Sequence, residues 1–520
     1  MSGKTRLADQ ETLIAVLQGK LGQPVEMVET HISWVLLAGG YAYKIKKAAD
    51  LGFLDFSTLE KRRFYCAEEL RLNRRLAPDL YLEVVSIAGS AEHPVLNGPG
   101  PALEYAVKMR RFPQSCLLDQ VLLRGELTPE TIDAIARSIA DFHGRTAIAD
   151  NQSPFGTPER THLPVAENFA QIRPRLREKE DLIRLDELER WSEREYQARI
   201  DALAARKARG LIRECHGDLH LGNMVLLDGE AVPFDCIEFS DNLRWIDVIS
   251  EAAFLSMDLQ DRGRPDLARR FLNAYLEQTG DYAGLEVLRY YLVYRAMVRA
   301  KVACIRAGQE RLSAGHWTQY RNHIELAADF TRPLQPFLAI THGLSGSGKT
   351  TLTQSLLEAT SLFRVRSDVE RKRLYGLKPE ARSGAGTGAS IYSREANEHT
   401  YRRLAEVARG IVRSGFSAIV DAAFLKRRER TIFRELAQEL SVPFVILDVT
   451  APENLLRERV KQRMQHGRDA SEADLAVLEN QLRNSESLDD NELTVTIGVD
   501  TERTGNVQAL VQRLAQATSR

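Results

Sequence analysis

The sequence lacks the features that would mark a membrane, secreted or strongly charged protein. Lys and Arg number 71 against 72 Asp and Glu, so the net charge of −1 gives no whole-chain attraction to nucleic acid or a membrane surface. No apolar run is long enough to cross a bilayer. Residues 1–18 also lack the continuous apolar stretch of a signal peptide. We therefore expect a cytoplasmic protein without membrane association.

Cysteine is scarce as well. The chain has five cysteines, an odd number, and none of them forms a CxxC pair. This pattern argues against a disulfide framework and against a zinc site, and it favours a reduced setting. We expect all five to be small core residues: Cys66, Cys116, Cys215, Cys236 and Cys304.

The chain has no internal repeat or low-complexity tract, but its 520 residues are too many for one core and predict two or three domains. The clearest boundary is TRPLQPF, where Pro333 and Pro336 interrupt helix after a long helical stretch from about Leu285 to Phe330. The predicted divisions are a first domain at 1–330, a linker at 331–336 and a second domain at 337–520.

The predicted secondary structure of the first domain changes from mostly strand to mostly helix near residue 110. Strand-like runs and one helix fill the part before it, and helical patterns dominate 111–330 apart from a short strand–turn–strand around Cys215–Phe239. A small strand-rich lobe followed by a larger helical lobe is typical of kinase-like phosphotransferases, so we predict a bilobal α+β fold with lobes at about 1–110 and 111–330. The predicted strands are Ile32–Leu37, Tyr41–Ile45, Leu82–Ile87 and Leu103–Met109, and the helix is Leu59–Leu76.

The second domain alternates strands with helices. This alternation predicts an α/β fold with a parallel sheet and right-handed crossovers. The predicted strands are Phe337–Thr341, Phe363–Ser367, Ser417–Asp421, Phe444–Val449 and Leu493–Val499.

A glycine-rich loop follows the first of these strands. GLSGSGKT at Gly343–Thr350 matches GxxxxGK[ST] in full, and a helix-forming stretch follows it. In this motif the backbone N–H groups surround phosphate, Lys349 would bridge the β- and γ-phosphates of ATP, and Thr350 would bind Mg²⁺. The predicted phosphate-cradling residues are Gly343, Ser345, Gly346, Ser347 and Gly348.

The next strand ends at a carboxylate. Asp368 stands at the edge where open parallel sheets bind ligands, and Arg371 follows three residues later. Asp368 could take a proton from a substrate hydroxyl while Arg371 steadies a phosphate or the substrate. The alternative is an N-cap aspartate on a solvated basic helix.

Two further segments carry candidate residues. Arg459 and Arg463 share a helix face, and a mobile arginine helix could neutralise charge on the transferred phosphoryl group; the alternative is a solvated basic helix. Asp421 ends the strand SAIVD, where it could hold a water on Mg²⁺ or the substrate, or could simply shape a turn.

The first domain contains a second phosphotransfer pattern. The segment HGDLHLGN at His216–Asn223 is followed twelve residues later by Asp235. Asp218 fits a base beside an acceptor hydroxyl, and Asn223 and Asp235 fit oxygen ligands for Mg²⁺. The alternative is a polar hairpin with capping residues.

The second domain resembles the zeta-toxin-like and polynucleotide-kinase-like group of small P-loop kinases. The resemblance covers nearly all of 337–520 and rests on RSDVERKRL, YSREANEHTYRRL, IVDAAFL and RERVKQRMQHGRDASEAD. In kinases of this group an aspartate matching Asp368 activates the acceptor hydroxyl, which favours the base role.

The first domain resembles the aminoglycoside phosphotransferase and choline kinase superfamily over roughly 25–320. The resemblance implies that Lys44, or Lys46 on the same strand face, contacts phosphate and that Glu69 pairs with this lysine. It also implies an inter-lobe hinge at Glu104–Met109. No GxGxxG is present over the phosphates.

The joined chain resembles bacterial fusions of these two kinase types. We therefore expect a bifunctional phosphotransferase with two ATP and Mg²⁺ sites that phosphorylates hydroxyl groups of small molecules. One alternative is a polynucleotide 5′-hydroxyl or nucleotide-sugar kinase, although nucleic acid is not favoured. Another is one catalytic domain with a nucleotide-sensing regulatory module. The sequence leaves both acceptors and the oligomeric state open.

Overall fold

The structure is a computed structural model that describes residues 7–21, 25–52, 54–309, 314–381, 391, 393–466, 473–502 and 507–518. The chain divides into two compact units, Met1–Glu167 with Leu203–Asp258, and Asn168–Ala202 with Leu259–Arg520. The predicted linker at 331–336 therefore lies inside the second unit. Within the described ranges, no helix is long and apolar enough to cross a membrane. Residues 467–472 of the arginine-helix motif and Tyr392 lie outside these ranges.

The first unit begins with a six-stranded antiparallel sheet in the order β1-β2-β3-β6-β4-β5. Its inner face packs apolar side chains such as Trp34, Leu36 and Ile45 against α1. The predicted hinge at Glu104–Met109 is wrong, because these residues form most of β6 and the chain leaves the sheet only after Arg110. The elements are α1 (Leu7–Lys20), β1 (Val25–Glu29), β2 (Ser33–Ala38), β3 (Tyr41–Lys46), α2 (Leu59–Asn73), β4 (Tyr81–Gly89), β5 (Pro94–Leu96) and β6 (Ala102–Arg110).

Helices dominate the next part of the chain, with one hairpin among them. In this hairpin, β8–β9, Asp228 and Gly229 both have positive φ, 51° and 83°, as a type I′ turn requires. The hairpin separates Asn223 from Asp235 in sequence and brings them to its open end. The elements are α3 (Leu118–Leu123), α4 (Pro129–Arg145), α5 (Pro158–Ile172), α6 (Lys179–Ala208), β7 (Ile212–Glu214), β8 (Met224–Leu227), β9 (Glu230–Pro233), α7 (Asp241–Arg244), β10 (Trp245–Asp247) and α8 (Val248–Asp261).

Three helices precede the second sheet: α9 (Pro265–Thr279), α10 (Leu285–Gln309) and α11 (Ala314–Thr331). The predicted helical stretch from about Leu285 to Phe330 is present as two helices, α10 and α11, which pack on each other. Packing in this way buries side chains such as Tyr320 and Ile324, which a single extended helix would leave in solvent.

The last part of the chain forms a five-stranded parallel sheet in the order β12-β13-β11-β14-β15. The α/β prediction is confirmed, and Ser417–Asp421 is correct at both ends. β11 is central, so its C-terminal end carries the glycine loop to the middle of the sheet edge. The elements are β11 (Leu338–His342), α12 (Lys349–Ala359), β12 (Leu362–Arg366), α13 (Ser367–Leu374), α14 (Arg394–Arg413), β13 (Ser417–Asp421), α15 (Arg427–Glu439), β14 (Phe444–Thr450), α16 (Glu453–His466), α17 (Leu475–Asn484), α18 (Asp490–Leu493), β15 (Thr496–Asp500) and α19 (Val507–Thr518).

Candidate active sites

The first candidate site contains Asp218 in the loop that leads to β8. Asn223 Nδ2 donates to Asp218 Oδ2 at 2.9 Å and to its backbone oxygen at 3.1 Å. His220 Nε2 lies 3.5 Å from the same carboxylate oxygen. The amide of Asn223 thus fixes one side of the Asp218 carboxylate, and the amide oxygen of Asn223 stays available for a metal ion.

Asp235 lies across the hairpin and meets the small-lobe sheet. Its φ of +65° is unusual for a residue with a side chain, and its backbone N–H donates to Tyr81 Oη at 3.1 Å. Lys44 Nζ lies 2.5 Å from Asp235 Oδ1 and 2.8 Å from Glu69 Oε1. The structure therefore brings the expected lysine, its helix glutamate and a proposed metal ligand together.

Lys46 occupies a different environment from Lys44. Its side chain is 1% exposed; Nζ lies 2.6 Å from Glu69 Oε2 and forms a second ion pair with Glu238. Burial raises the pKa of Glu69, but Lys44 and Lys46 outweigh it and hold the pKa below its usual range. Since both partners of Lys46 are buried carboxylates, Lys44 is the better candidate to contact phosphate. Sequence reasoning missed Glu238, whose only signal was its place three residues after Asp235.

Buried contacts behind the site hold the Asp218 loop. Glu251 accepts from the Gly217 N–H at 2.6 Å through Oε1, and its Oε2 lies 2.8 Å from His143 Nε2. His216 Nε2 lies 2.8 Å from the backbone oxygen of Phe234 and so links the loop to β9. His143, Cys215 and Glu251 have the spacing of metal ligands, but Glu251 uses both oxygens in the loop contacts. We interpret this cluster as structural.

The second candidate site is the loop between β11 and α12. Gly343 has φ +147°, and a Cβ there would lie 2.3 Å from the backbone oxygen of Val449. A Cβ at Gly346 would lie 2.7 Å from the backbone oxygen of Leu456. These positions need glycine because other backbone passes too close for a side chain. Ser347 Oγ is buried and has no hydrogen-bond partner among the described residues.

Lys349 and Thr350 begin α12 directly after Gly348. Lys349 Nζ donates to the backbone oxygens of Gly343 at 2.9 Å and Leu344 at 2.8 Å. Burial lowers the pKa of Lys349 to about 8, while the nearby carboxylates of Asp421 and Asp368 act to raise it and Arg463 to lower it. Lys349 is therefore within the electrostatic influence of the three other candidate residues.

Asp421 lies at the end of β13, next to the loop. Thr350 Oγ1 donates to Asp421 Oδ2 at 2.8 Å, and Thr353 Oγ1 donates to the same oxygen at 3.4 Å. The sequence allowed a metal-side role, a substrate role or a turn for Asp421. The contact with the threonine hydroxyl favours the metal side.

Asp368 and Arg371 lie on α13 but have different surroundings. The N-cap of α13 is Arg366, so the interpretation of Asp368 as an N-cap is wrong, and its partly exposed carboxylate is near Lys349. Arg371 is buried and donates to the backbone oxygen of Ile391 at 3.1 Å and to Asn397 Oδ1 at 2.9 Å. This geometry suits a residue that positions α13 better than one that contacts substrate.

The two arginines of α16 also differ. Arg459 donates to the backbone oxygen of Gly346 at 3.3 Å and to Thr501 Oγ1 at 2.9 Å, so it braces the loop from outside. Arg463 donates to the backbone oxygen of Ala473 at 2.6 Å, and its charge acts on Lys349. Arg463 is therefore the better placed of the two to meet a phosphate.

The donor sets at both sites fit ATP and Mg²⁺. The glycine cradle, the unpartnered Ser347 hydroxyl and Lys349 form an anion site at a helix N-terminus. Hydroxyl, carboxylate and amide oxygens are the ligands that Mg²⁺ prefers, and these are what Thr350 and Asp421 offer at one site, and Asn223 and Asp235 at the other.

Comparison with known families finds two separate matches, one in each part of the chain that carries a candidate site. The phosphotransferase enzyme family matches residues 65–289, and the AAA domain family matches 338–488. Each half has the fold predicted from its sequence, kinase-like α+β and P-loop α/β. The fold and the sites define an ATP-dependent kinase that contains two kinase-like domains.

The chain belongs to the same family as uncharacterized mycobacterial proteins that match most of its length. Uncharacterized proteins of Mycobacterium bovis and Mycobacterium tuberculosis are 31% identical over 452 residues, which cover 86% of this chain and 88% of theirs. An adenylyl-sulfate kinase of Myxococcus xanthus is 32% identical over 123 residues, 24% of this chain and 62% of that protein. An amicoumacin kinase solved with AMP-PNP and Ca²⁺ is 14% identical, covers 62% of this chain and 95% of its own, and has a TM-score of 0.38.

Proposed function

We propose that the chain is a bifunctional ATP-dependent phosphotransferase with two ATP and Mg²⁺ sites, each of which phosphorylates a hydroxyl group of a small molecule. The observation that carries the proposal is that each half of the chain brings together a cation for phosphate, oxygen ligands for Mg²⁺ and a carboxylate base. A domain that only sensed nucleotide would not need the base.

In the first site, the oxygen of the acceptor hydroxyl attacks the γ-phosphorus of ATP, and Asp218 accepts the proton that this hydroxyl loses. The bond to the β,γ-bridging oxygen breaks, and ADP leaves with that electron pair. Lys44 holds the phosphates, and Asn223 and Asp235 would hold Mg²⁺, which when bound would supply positive charge to the phosphoryl oxygens. Asn223 keeps the base oriented through its 2.9 Å contact with Asp218.

In the second site, Asp368 has the role of base and Lys349 that of the phosphate cation. Thr350 and Asp421 would hold Mg²⁺, and Arg463 adds positive charge near the transferred group. Arg371 and Arg459 position α13 and the glycine loop. Desolvation of Lys349, which lowers its pKa to about 8, strengthens its attraction to phosphate once both are bound.

An alternative for the second site is a larger, nucleotide-type acceptor: a polynucleotide 5′-hydroxyl or a nucleotide sugar. The similarity of 123 residues of the chain to an adenylyl-sulfate kinase favours a nucleotide acceptor. Charge does not favour a polynucleotide, because Leu334–Arg520 carries 27 Lys and Arg against 24 Asp and Glu, 27 − 24 = +3. Some of its exposed basic side chains are also paired, as in Lys426–Glu486 and Arg427–Asp489.

The stoichiometry of nucleotide binding tests whether two ATP sites exist. Calorimetric titration of the full chain with a non-hydrolysable MgATP analogue should give two nucleotides per chain. Lys44→Ala and Lys349→Ala should each remove one of them, and the double variant both. A wild-type stoichiometry of one would overturn the two-site proposal, and a value of two with no turnover at one site would favour the regulatory alternative. Steep salt dependence of oligonucleotide binding would instead support the polynucleotide alternative.

A further inference from the structure

The edge strand of the parallel sheet is covered by a helix from outside the AAA-domain match. β12 is at the end of the sheet order, so one row of its backbone groups lacks a neighbouring strand. Asn273 Oδ1, on α9, accepts from the Arg364 N–H at 2.8 Å, and Tyr282 Oη donates to the Arg364 backbone oxygen at 3.4 Å. Asn273 and Tyr282 thus satisfy both backbone groups of Arg364 at the open edge beside the second site.

The side chain of Arg364 extends from this edge toward Thr350 and Asp421, the proposed metal ligands. Its guanidinium contacts Glu277 Oε1, on α9, at 2.9 Å through Nε and 2.8 Å through Nη2. Its Nη1 donates to the backbone oxygen of Thr350 at 3.3 Å and to Thr353 Oγ1 at 3.4 Å. Thr353 in turn donates to Asp421 Oδ2, which also accepts from the Thr350 hydroxyl.

The charged residues that make these contacts are buried. Arg364 is 5% exposed, Glu277 9% and Asp421 5%, so each charge depends on its neighbours for solvation. The planar guanidinium can meet Glu277 on one side and α12 on the other, which a lysine ammonium cannot do with the same geometry. Arg364 therefore ties the first turn of α12 to a carboxylate on α9.

We propose that Glu277 and Arg364 are positioning residues that hold Thr350 and Asp421 in the arrangement that binds Mg²⁺ with ATP. Glu277 belongs to the phosphotransferase-family match at 65–289, whereas Thr350 and Asp421 belong to the AAA-domain match at 338–488. The segment matched by the phosphotransferase family thus supplies part of the support for the metal site of the AAA-domain match, and both Glu277 and that site lie within the second compact unit. This inference rests on the proposed ATP and Mg²⁺ site at the glycine loop.

The test measures how much Mg²⁺ strengthens ATP binding at the second site. The full chain with Asp235→Ala, which disables metal binding at the first site, is titrated with ATP with and without Mg²⁺. Arg364→Ala and Glu277→Gln should each reduce the Mg²⁺-dependent gain in affinity by about tenfold or more, because charge-assisted hydrogen bonds that orient the ligands are lost. Affinity without Mg²⁺ should change little, because Lys349 and the loop N–H groups are intact.

An ion pair that joins α9 directly to α12, without Arg364, provides the matched control. Arg270 Nη1, on α9, lies 2.6 Å from Glu358 Oε1, on α12. Arg270→Ala should leave the Mg²⁺-dependent gain unchanged, and Arg364→Lys should recover only part of it. Far-UV circular dichroism checks folding, and if Arg364→Ala fails to fold, Glu277→Gln decides the question.

Two results would overturn the inference: a wild-type Mg²⁺ gain in Glu277→Gln, or an equal loss in Arg270→Ala, which would show a general effect of docking α9. Failure of the proposed function would give a different result from failure of this inference. In that case the parent chain itself would show no ATP binding that Lys349→Ala removes.

Discussion

Lys44 Nζ lies 2.5 Å from Asp235 Oδ1, although 191 positions separate the two residues in the sequence. The contact joins the third strand of the small-lobe sheet to the residue after the β8–β9 hairpin. It brings the proposed phosphate cation to the proposed metal ligand, the arrangement that a phosphoryl-transfer site needs.

Substitutions of the two lysines of β3 should have different effects, one on nucleotide binding and the other on stability. Lys44→Ala should weaken MgATP binding at the first site about tenfold or more while the fold stays near wild-type stability, because Glu69 keeps Lys46. Lys46→Met should destabilise the first unit by about 3–5 kcal/mol, because it leaves Glu238 buried without its ion-pair partner and Glu69 with Lys44 alone. Urea unfolding and nucleotide titration of both variants measure the difference. Equal stability of the two variants would contradict the assignment of Lys46 to structure.

Gly343 should not tolerate a side chain. Gly343→Ala should abolish ATP binding at the second site and cost about 1–3 kcal/mol of stability, because its Cβ would collide with the Val449 backbone oxygen at a strained φ. Gly410 in α14 is the matched control, since a Cβ there meets nothing within 4 Å. Gly410→Ala should be neutral or stabilising by about 0.5–1 kcal/mol, with ATP binding intact. Thermal unfolding and ATP titration distinguish these outcomes.

Thr350 should carry the magnesium requirement of the second site, whereas its neighbour should not. Thr350→Val removes the hydroxyl that contacts Asp421, so turnover at this site should need a higher Mg²⁺ concentration. Thr351→Val makes the same replacement of a hydroxyl by a methyl group, but on an exposed side chain. It should leave the Mg²⁺ dependence as in wild type. The measurement is the rate of ATP turnover against Mg²⁺ in the Asp218→Ala background. Equal curves for the two variants would refute a metal role for Thr350.

Glu251 should act on catalysis at the first site by holding the Asp218 loop. Glu251→Gln keeps the shape of the side chain but weakens its contacts with the Gly217 N–H and His143. We expect kcat of the Asp218-dependent reaction to fall while KM for ATP stays near wild type. Glu126→Gln, which changes an exposed partner of Arg124, is the control and should leave both constants unchanged. A rise in KM with kcat unchanged would indicate a role in binding instead.

Much of the fold could be predicted because its signals are local. The glycine loop, the strand–helix alternation and the alignment of Asp421 at a strand end all follow from short stretches of sequence, and the five predicted parallel strands are present. The division of the long helical stretch into α10 and α11 was missed because tertiary packing, which buries Tyr320, decides it and local helical pattern does not. The hinge was misplaced because residues 104–109 have ordinary strand character.

The candidate sites show the same limit. Sequence reasoning identified residues whose type matches the chemistry, but it could not separate Lys44 from Lys46, or Arg463 from Arg459, because each pair shares a strand or helix face. Burial and partners make these distinctions. Glu238, Glu277 and Arg364 were not singled out, because their importance comes from contacts across long sequence separations, such as Arg364 with Glu277.

Labelled ATP and a small-molecule extract test the central claim most directly. The wild-type chain, Asp218→Ala, Asp368→Ala and the double variant are each incubated with γ-labelled ATP and the extract, and labelled products are separated. The account predicts that each single variant loses a different phosphorylation, with ATP binding retained, and that the double variant loses both. If either single variant yields every product of the wild type, the chain does not have two catalytic sites with these bases.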